Sequence, residues 1–266
     1  MAKLSISRAW DETRATIGRD GKLLIAVVLA LVVLPQTLAG VIQPQGGLRA
    51  SGLIAALLGV IGQLALIRLA LGPATTVQAA ISEGLSRFPS VVLSYAILIL
   101  GIVLMCIPLA VVAALMGVQV PQTADKPSGT LLLLSMLLGL LVLALWARFV
   151  IFPAVAVAEK AGPVAALKRS WALSRHNYWR LLAFVVLLLI LTLVLMAASG
   201  GLGGILGSLA SEGPVQPLSL GALVMSLIVA LASGIISLIG SVMVAHIYGE
   251  LAGARDVSAT VPRTAD

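Results

Sequence analysis

The chain has 266 residues, of which 60% are apolar and only 10% charged, with a formal net charge of +7 and a mean hydropathy of +1.13. Soluble domains are about 45–50% apolar and about 25% charged, so water cannot be the solvent for most of this surface and a cytosolic enzyme is excluded. A single anchor uses about 20 apolar residues. Far more are present, which predicts a polytopic membrane protein.

Chemistry is narrowed next. Cys106 is the single cysteine, and His176 and His246 are the two imidazoles. No intramolecular disulfide and no Cys- or His-rich metal site can be assembled from them. No metal and no cofactor is expected.

In chain order, the first element is amphipathic. Ile6, Trp10, Thr13 and Ile17 recur at helical spacing, with Arg8, Asp11, Glu12 and Arg19 off that stripe. An apolar run at 22–42 follows. It is too long for the roughly 7–15-residue core of a signal peptide, and Leu38-Ala39-Gly40 is a poor cleavage site. A return span at 51–72 ends near Arg68. The second amphipathic stretch carries Val77, Ile81, Leu85 and Phe88, and leads into spans at 89–117 and 129–157. The third opens at Pro163, a favourable first-turn position, and places Val164, Leu167, Trp171 and Tyr178 on one face beside Lys168 and Arg169. Spans at 180–208 and 219–250 complete the set. Helix is the only form that satisfies the backbone of such segments within lipid. The expected fold is all-α, with six transmembrane helices and three amphipathic helices lying in the interface plane.

The pattern repeats. Arg8-Ala9-Trp10-Asp11-Glu12-Thr13-Arg14 matches Arg169-Ser170-Trp171-Ala172-Leu173-Ser174-Arg175, and Ser86-Arg87 retains the end of a third copy. Pro35 and Pro108 each stand 21 residues beyond the closing arginine of their copies. Arg68 with Pro73, Arg148 with Pro153, and His246 occupy equivalent places in the even spans. One membrane domain is therefore read as three helical hairpins at 3–72, 74–158 and 162–252, followed by a flexible tail at 253–266. Pseudo-threefold symmetry about the membrane normal follows from parallel repeats of this kind.

Basic residues set the orientation. With the N-terminus inside, fifteen of the 17 Lys and Arg fall on the inner side, leaving Arg49 and Lys126 outside. Asp125 and Glu212 join them, so the outer side is neutral and the inner side carries the whole +7. That asymmetry predicts a bacterial inner-membrane protein with both termini cytoplasmic. Anionic headgroups on that face account for the charge, so membrane phospholipids are the expected partners and nucleic acid is not. A homo-oligomer or a membrane-protein partner fits as well.

Arg68, Arg148 and His246 are the candidate anion or lipid-headgroup residues. A shared position near the span end would let them converge on the pseudo-axis, where a guanidinium holds phosphate bidentately. The competing reading has them snorkel outward, as charged span-end residues commonly do. Trp10, Arg14, Arg87, Trp171, Arg175 and Trp179 read as interfacial anchors. Tyr178 and Arg180 read the same way. Glu83 and Glu159 read as solvated, and Glu250 as an i, i+4 partner of His246. Gly200/Gly204 and Gly203/Gly207 are G-x-x-x-G pairs, and Ser233, Ser237, Ser241 and Ala245 form a small-residue stripe; both suit close helix packing.

Several of these stretches, namely Ser7-Arg8-Ala9-Trp10, Pro153 to Glu159, Gly162-Pro163, Arg169 to Leu173 and Ile247-Tyr248, resemble the bacterial glycerophosphoryl diester phosphodiesterase membrane-domain family. The resemblance covers the membrane part only. The phosphodiesterase itself would need a barrel of about 250 residues, for which the short polar segments leave no room, so no hydrolase activity is carried over and no catalytic residue is assigned. The leading expectation is a non-enzymatic lipid-interacting scaffold or membrane-homeostasis component. A carrier or channel for an anionic or amphipathic molecule is the alternative, and a membrane partner of a phosphodiesterase the second. The central parts of the first, third and fifth spans hold no charge, which weighs against ion coupling and intramembrane hydrolysis alike.

Overall fold

The computed structural model describes residues 4–42, 50–72, 76–115, 129–211 and 215–260. Lys3, Gln45, Arg49, Pro73, Asp125, Lys126, Glu212 and Arg263 lie outside the described residues. Among those described, all regular structure is helical: α1 (Ile6–Val28), a π-helical turn (Leu29–Val33), α2 (Leu34–Ile42), α3 (Ala50–Leu71), α4 (Val77–Leu115), α5 (Gly129–Phe149), α6 (Phe152–Ala158), α7 (Pro163–Ser174), α8 (Tyr178–Ala210) and α9 (Leu220–Thr260). Six of the helical units are long and apolar enough to cross a bilayer. The protein is an all-α, multi-pass membrane protein.

The first two amphipathic stretches are not separate helices, as the sequence reading has them. Ile6–Ile42 is one helical unit of 37 residues, roughly 55 Å at 1.5 Å per residue, well beyond the ~30 Å hydrocarbon core. Helix α4 runs through Pro89 and Pro108 without a break. Only the third stretch, α7, is set apart, by a turn at Arg175–Asn177. Pro35 lies just past the π-helical turn. A proline has no N–H and crowds the carbonyl four residues back, and a locally widened turn relieves that conflict. The fourth span, Leu132–Ala158, is interrupted by a turn at Val150–Ile151 and restarts with Pro153 in the first turn of α6. Helix α9 continues to Thr260, through residue 253, where the sequence reading starts a tail.

Residues both on and off the apolar stripes pack against the neighbouring helices. In α1 the buried residues are Ala9, Thr13 and Thr16, whereas Trp10 is 41% exposed. In α4 they are Ala80 and Val91, and Leu85 is exposed. In α7 they are Ala166, Leu167, Ser170, Leu173 and Ser174, with Val164 and Trp171 exposed. Small and hydroxyl-bearing residues make many of these contacts between helices, while several large apolar ones, Trp10, Leu85, Val164 and Trp171 among them, face outward. This is the membrane solution: lipid solvates leucine as well as protein does, so close backbone approach decides which side faces in. Gly84 illustrates it, since a Cβ there would lie 3.4 Å from the backbone of both Ile61 and Ala65 in α3.

The helices pack in a cycle. Helix α3 lies against α4, α5 against α7 and α8, and α9 against α1 and α2, while α3 and α9 also meet each other. The even span of each proposed hairpin thus leans on the odd unit of the next, and the last on the first. Helix α8 also packs along α9. There Gly203 and Gly207 face Met225 and Gly221, while Gly200 and Gly204 face open space. Of the two G-x-x-x-G pairs, only the second makes this interface.

Candidate functional site

The basic end of the bundle is fastened by three groups of contacts, one around each expected headgroup residue. Arg68 of α3 donates from Nε to Glu83 of α4 at 2.5 Å. Arg148 of α5 lies over two aromatic faces, with Cζ 4.8 Å from the Trp171 centroid and 4.5 Å from that of Tyr178. Ser170 donates to the Arg148 carbonyl at 3.0 Å. His246 of α9 places Nε2 3.0 Å from Thr16 Oγ1 and Nδ1 3.4 Å from Glu12 Oε2, both in α1.

Arg68, Arg148 and His246 therefore hold three different helix junctions, each joining one hairpin to its successor. The structure does not bring the three together; each has its own partners within the protein. The expected electrostatic relation of His246 and Glu250 along α9 is present, and both residues make longer-range contacts as well. Glu250 accepts from the Ser5 N–H at 3.0 Å, and the N-terminal segment is also held by Asn177, which accepts from Leu4 N–H at 3.3 Å, and by Arg180, which donates to the Leu4 carbonyl. Glu159 is not simply solvated: it accepts from Arg169 at 2.9 Å and from Tyr248 at 3.1 Å, tying α7 to α9.

The anchors divide. Trp10, Arg14, Arg175 and Trp179 are exposed, Trp179 at 78%. Trp171 is exposed on one face and engaged on the other, by Arg148 and by Phe149 at 5.7 Å between centroids. Arg87 is half-buried and donates to the Lys160 carbonyl at 3.4 Å.

Deeper in the bundle is a cavity of about 250 Å³ lined by residues of α3, α4, α5, α6, α8 and α9. Its walls are largely apolar and aromatic, among them Trp146, Phe149, Phe152 and Leu188. Its polar groups are Gln63, Tyr95, Ser237 and Ser241. Tyr95 donates to Gln63 Oε1 at 3.3 Å and sits edge-on to Phe152 at 4.8 Å. Apolar walls with a few placed polar groups are the usual makeup of a small-molecule or lipid-chain site. Between α5 and α8 runs an apolar groove of about 710 Å³, lined by Met136, Leu140, Leu143, Val185 and Thr192 among others. Trp146 and Leu188 line both spaces.

A family model described as a domain of unknown function, DUF7847, matches residues 4–251. The chain belongs to this family. Comparison with the curated proteins and with the solved structures returned no match.

In this DUF7847 protein the sequence reading missed Gln63, Tyr95 and Trp146. A lone glutamine inside an apolar span was the available signal, because an uncharged amide at that depth asks for a partner. Ser237 and Ser241 were noticed as small packing residues; they also form part of the cavity wall. Glu12 and Thr16 gave no signal, since their partner is 230 or more positions away.

Proposed function

We propose that this DUF7847 protein is a non-enzymatic, lipid-interacting component of the bacterial inner membrane, with both termini cytoplasmic, that shelters one hydrocarbon chain inside a bundle of three repeated hairpins. The observation that carries this reading is the pair of residues, Trp146 and Leu188, common to the α5–α8 groove and the central cavity. A chain lying in the groove would touch Trp146 and Leu188, whose rotamer changes are the least costly way to join the two spaces. The cavity volume suits a segment of one chain rather than a whole lipid, and its Gln63–Tyr95 pair offers one polar contact at the end of an apolar path. The absence of charge along the groove favours a resident amphipathic molecule over a hydrated ion.

Further support comes from the agreement between the first and third repeat copies. Ala9 and Ser170 are both fully buried, Thr13 and Ser174 likewise, and Trp10 and Trp171 are exposed at 41% and 45%. Matching positions thus have matching environments.

The test is native mass spectrometry of the purified protein and of Ser237→Phe, which fills the cavity from its wall. The wild type is expected to retain one lipid per chain after detergent exchange, and Ser237→Phe to lose it while keeping its helical content. Equal retention by both would overturn the reading.

A further inference from the structure

At the basic end, on the same three helices that form one side of the cavity, lies a second and separate space. It is a groove of about 720 Å³ lined by Arg68, Ser82, Glu83, Ser86, Arg87 and Lys160 together with apolar residues of α3 and α6. Fully buried side chains close it off from the cavity: Leu64 and Ile67 of α3, Val91 of α4 and Val155 of α6. Each stands along its helix between the residues lining one space and those lining the other.

Three cations face one carboxylate in this groove. Glu83 is already matched by Arg68 at 2.5 Å, which leaves the charge of Arg87 and Lys160 uncompensated. Among the described residues neither forms an ion pair, and the buried Nε of Arg87 has no hydrogen-bond partner. A buried guanidinium N–H without an acceptor is uncommon. Lys160 adds a backbone signal. Its φ is +51°, in the left-handed region that residues with a side chain rarely adopt, where glycine or asparagine would be the ordinary choice. That conformation turns its carbonyl to Arg87 Nη1 and leaves the exposed lysine on the groove rim. A strained residue kept in place by its surroundings points to a use for its side chain.

We propose that this groove binds a phosphate group, with Arg87 and Lys160 as its ligating cations and the Arg68–Glu83 pair as its fixed wall. The guanidinium contributes a planar fork and the ammonium a mobile point charge, a combination suited to tetrahedral phosphate. The same chemistry is offered by the phosphate of an anionic lipid headgroup and by a free phosphate-bearing molecule in solution. The site is independent of the chain-binding cavity, so each stands or falls alone.

The experiment uses the full chain in nanodiscs of phosphatidylcholine. One arm titrates inorganic phosphate and pyrophosphate in solution; the other adds phosphatidic acid to the bilayer, with binding read by ³¹P NMR line broadening. Arg87→Gln and Lys160→Gln are expected to weaken binding roughly tenfold or more, as loss of a charge-assisted contact does. Lys22→Gln removes one exposed positive charge at the same end and is expected to stay within about twofold of wild type. Lys160→Gly relieves the backbone, so it is expected to lose affinity without any fall in melting temperature, which separates binding from folding. Uptake in the soluble arm identifies a free phosphate compound as the ligand type, and uptake confined to phosphatidic acid identifies a headgroup. Failure of the wild type to take up any of these probes would overturn the proposal, as would wild-type affinity in both Lys160 variants or an equal loss in Lys22→Gln.

Discussion

His246 Nε2 lies 3.0 Å from the hydroxyl of Thr16, 230 positions earlier in the chain, and this contact closes the helix cycle. It joins the last span to the first helix, as Arg68–Glu83 joins α3 to α4 and Arg148–Trp171 joins α5 to α7. A helical bundle with such sequence-distant closure acquires its shape only when the two ends of the chain meet. Interhelical hydrogen bonds in membranes are worth about 0.6 kcal/mol on average and up to about 1.7. Thr16→Val is therefore expected to destabilise by about 0.5–1.5 kcal/mol in a reversible SDS-unfolding titration. Combined with His246→Ala it should be clearly non-additive, and combined with Ser170→Ala, at a different junction, additive within about 0.5 kcal/mol. Additivity of the first pair would show that the closure carries no energy.

Arg148 holds its guanidinium carbon over the rings of both Trp171 and Tyr178, at 4.8 and 4.5 Å from their centroids. Arg148→Lys keeps the charge and loses the guanidinium plane, so a loss of about 1–2 kcal/mol is expected for a partly desolvated pair of cation–π contacts. The same unfolding titration reads it. A charge-only junction would leave Arg148→Lys at wild-type stability.

The inward-facing small residues make a second mutational contrast. Ala9 and Ser170 are fully buried, and leucine at either is expected to separate helices at a loss of about 1–3 kcal/mol. Trp10→Leu, on the outward face, should stay within about 0.5 kcal/mol. Melting temperatures in one detergent settle the comparison; a greater loss at Trp10 than at Ala9 would restore the aromatic face as the packing face.

The glycine pairs of α8 make the contrast sharper still. A Cβ at Gly200 meets open space, so Gly200→Ala is expected to be neutral or to gain up to about 1 kcal/mol from helix propensity. A Cβ at Gly207 would lie 2.9 Å from the Gly221 carbonyl and 3.1 Å from Met225 Cβ. Gly207→Ala should therefore lose about 1–3 kcal/mol, and equal melting temperatures for the two variants would contradict the α8–α9 interface.

Orientation is checked with reporter fusions. An alkaline phosphatase fusion near Gln45, Asp125 or Glu212 is expected to be active outside the cytoplasm, and a fusion after Asp266 inactive. A cytoplasmic readout at any of the three loops would reverse the topology that the 17 basic residues indicate.

Six apolar runs, their helical form and the gathering of Lys and Arg at one end were legible in the residues alone, because they depend on transfer of each segment into lipid. That is a local property, summed along the chain. The repeated R-[AS]-W motif was legible as well, and with it the outward tryptophans. The facing of the amphipathic stretches was legible only in part. A stripe rule ranks residues by hydrophobicity, and in lipid the large apolar side chains have no reason to turn inward. Ala9, Ser170 and Ser174, off the apolar stripes, pack inward, and so do Thr13 and Leu167 on them.

The partners of Arg68, Arg148 and His246 were likewise decided by the tertiary structure. Position along a span says that a charged side chain sits near the membrane surface, yet it cannot say which neighbouring helix stands beside it. Three equivalent positions suggested one shared centre, and the packed bundle distributed them over three junctions, because each even span packs against the helix that begins the following hairpin. Segment chemistry along the chain determined what this protein is dissolved in; the contacts between segments, many of them more than a hundred residues apart, determined where its polar groups find each other and where space is left between them.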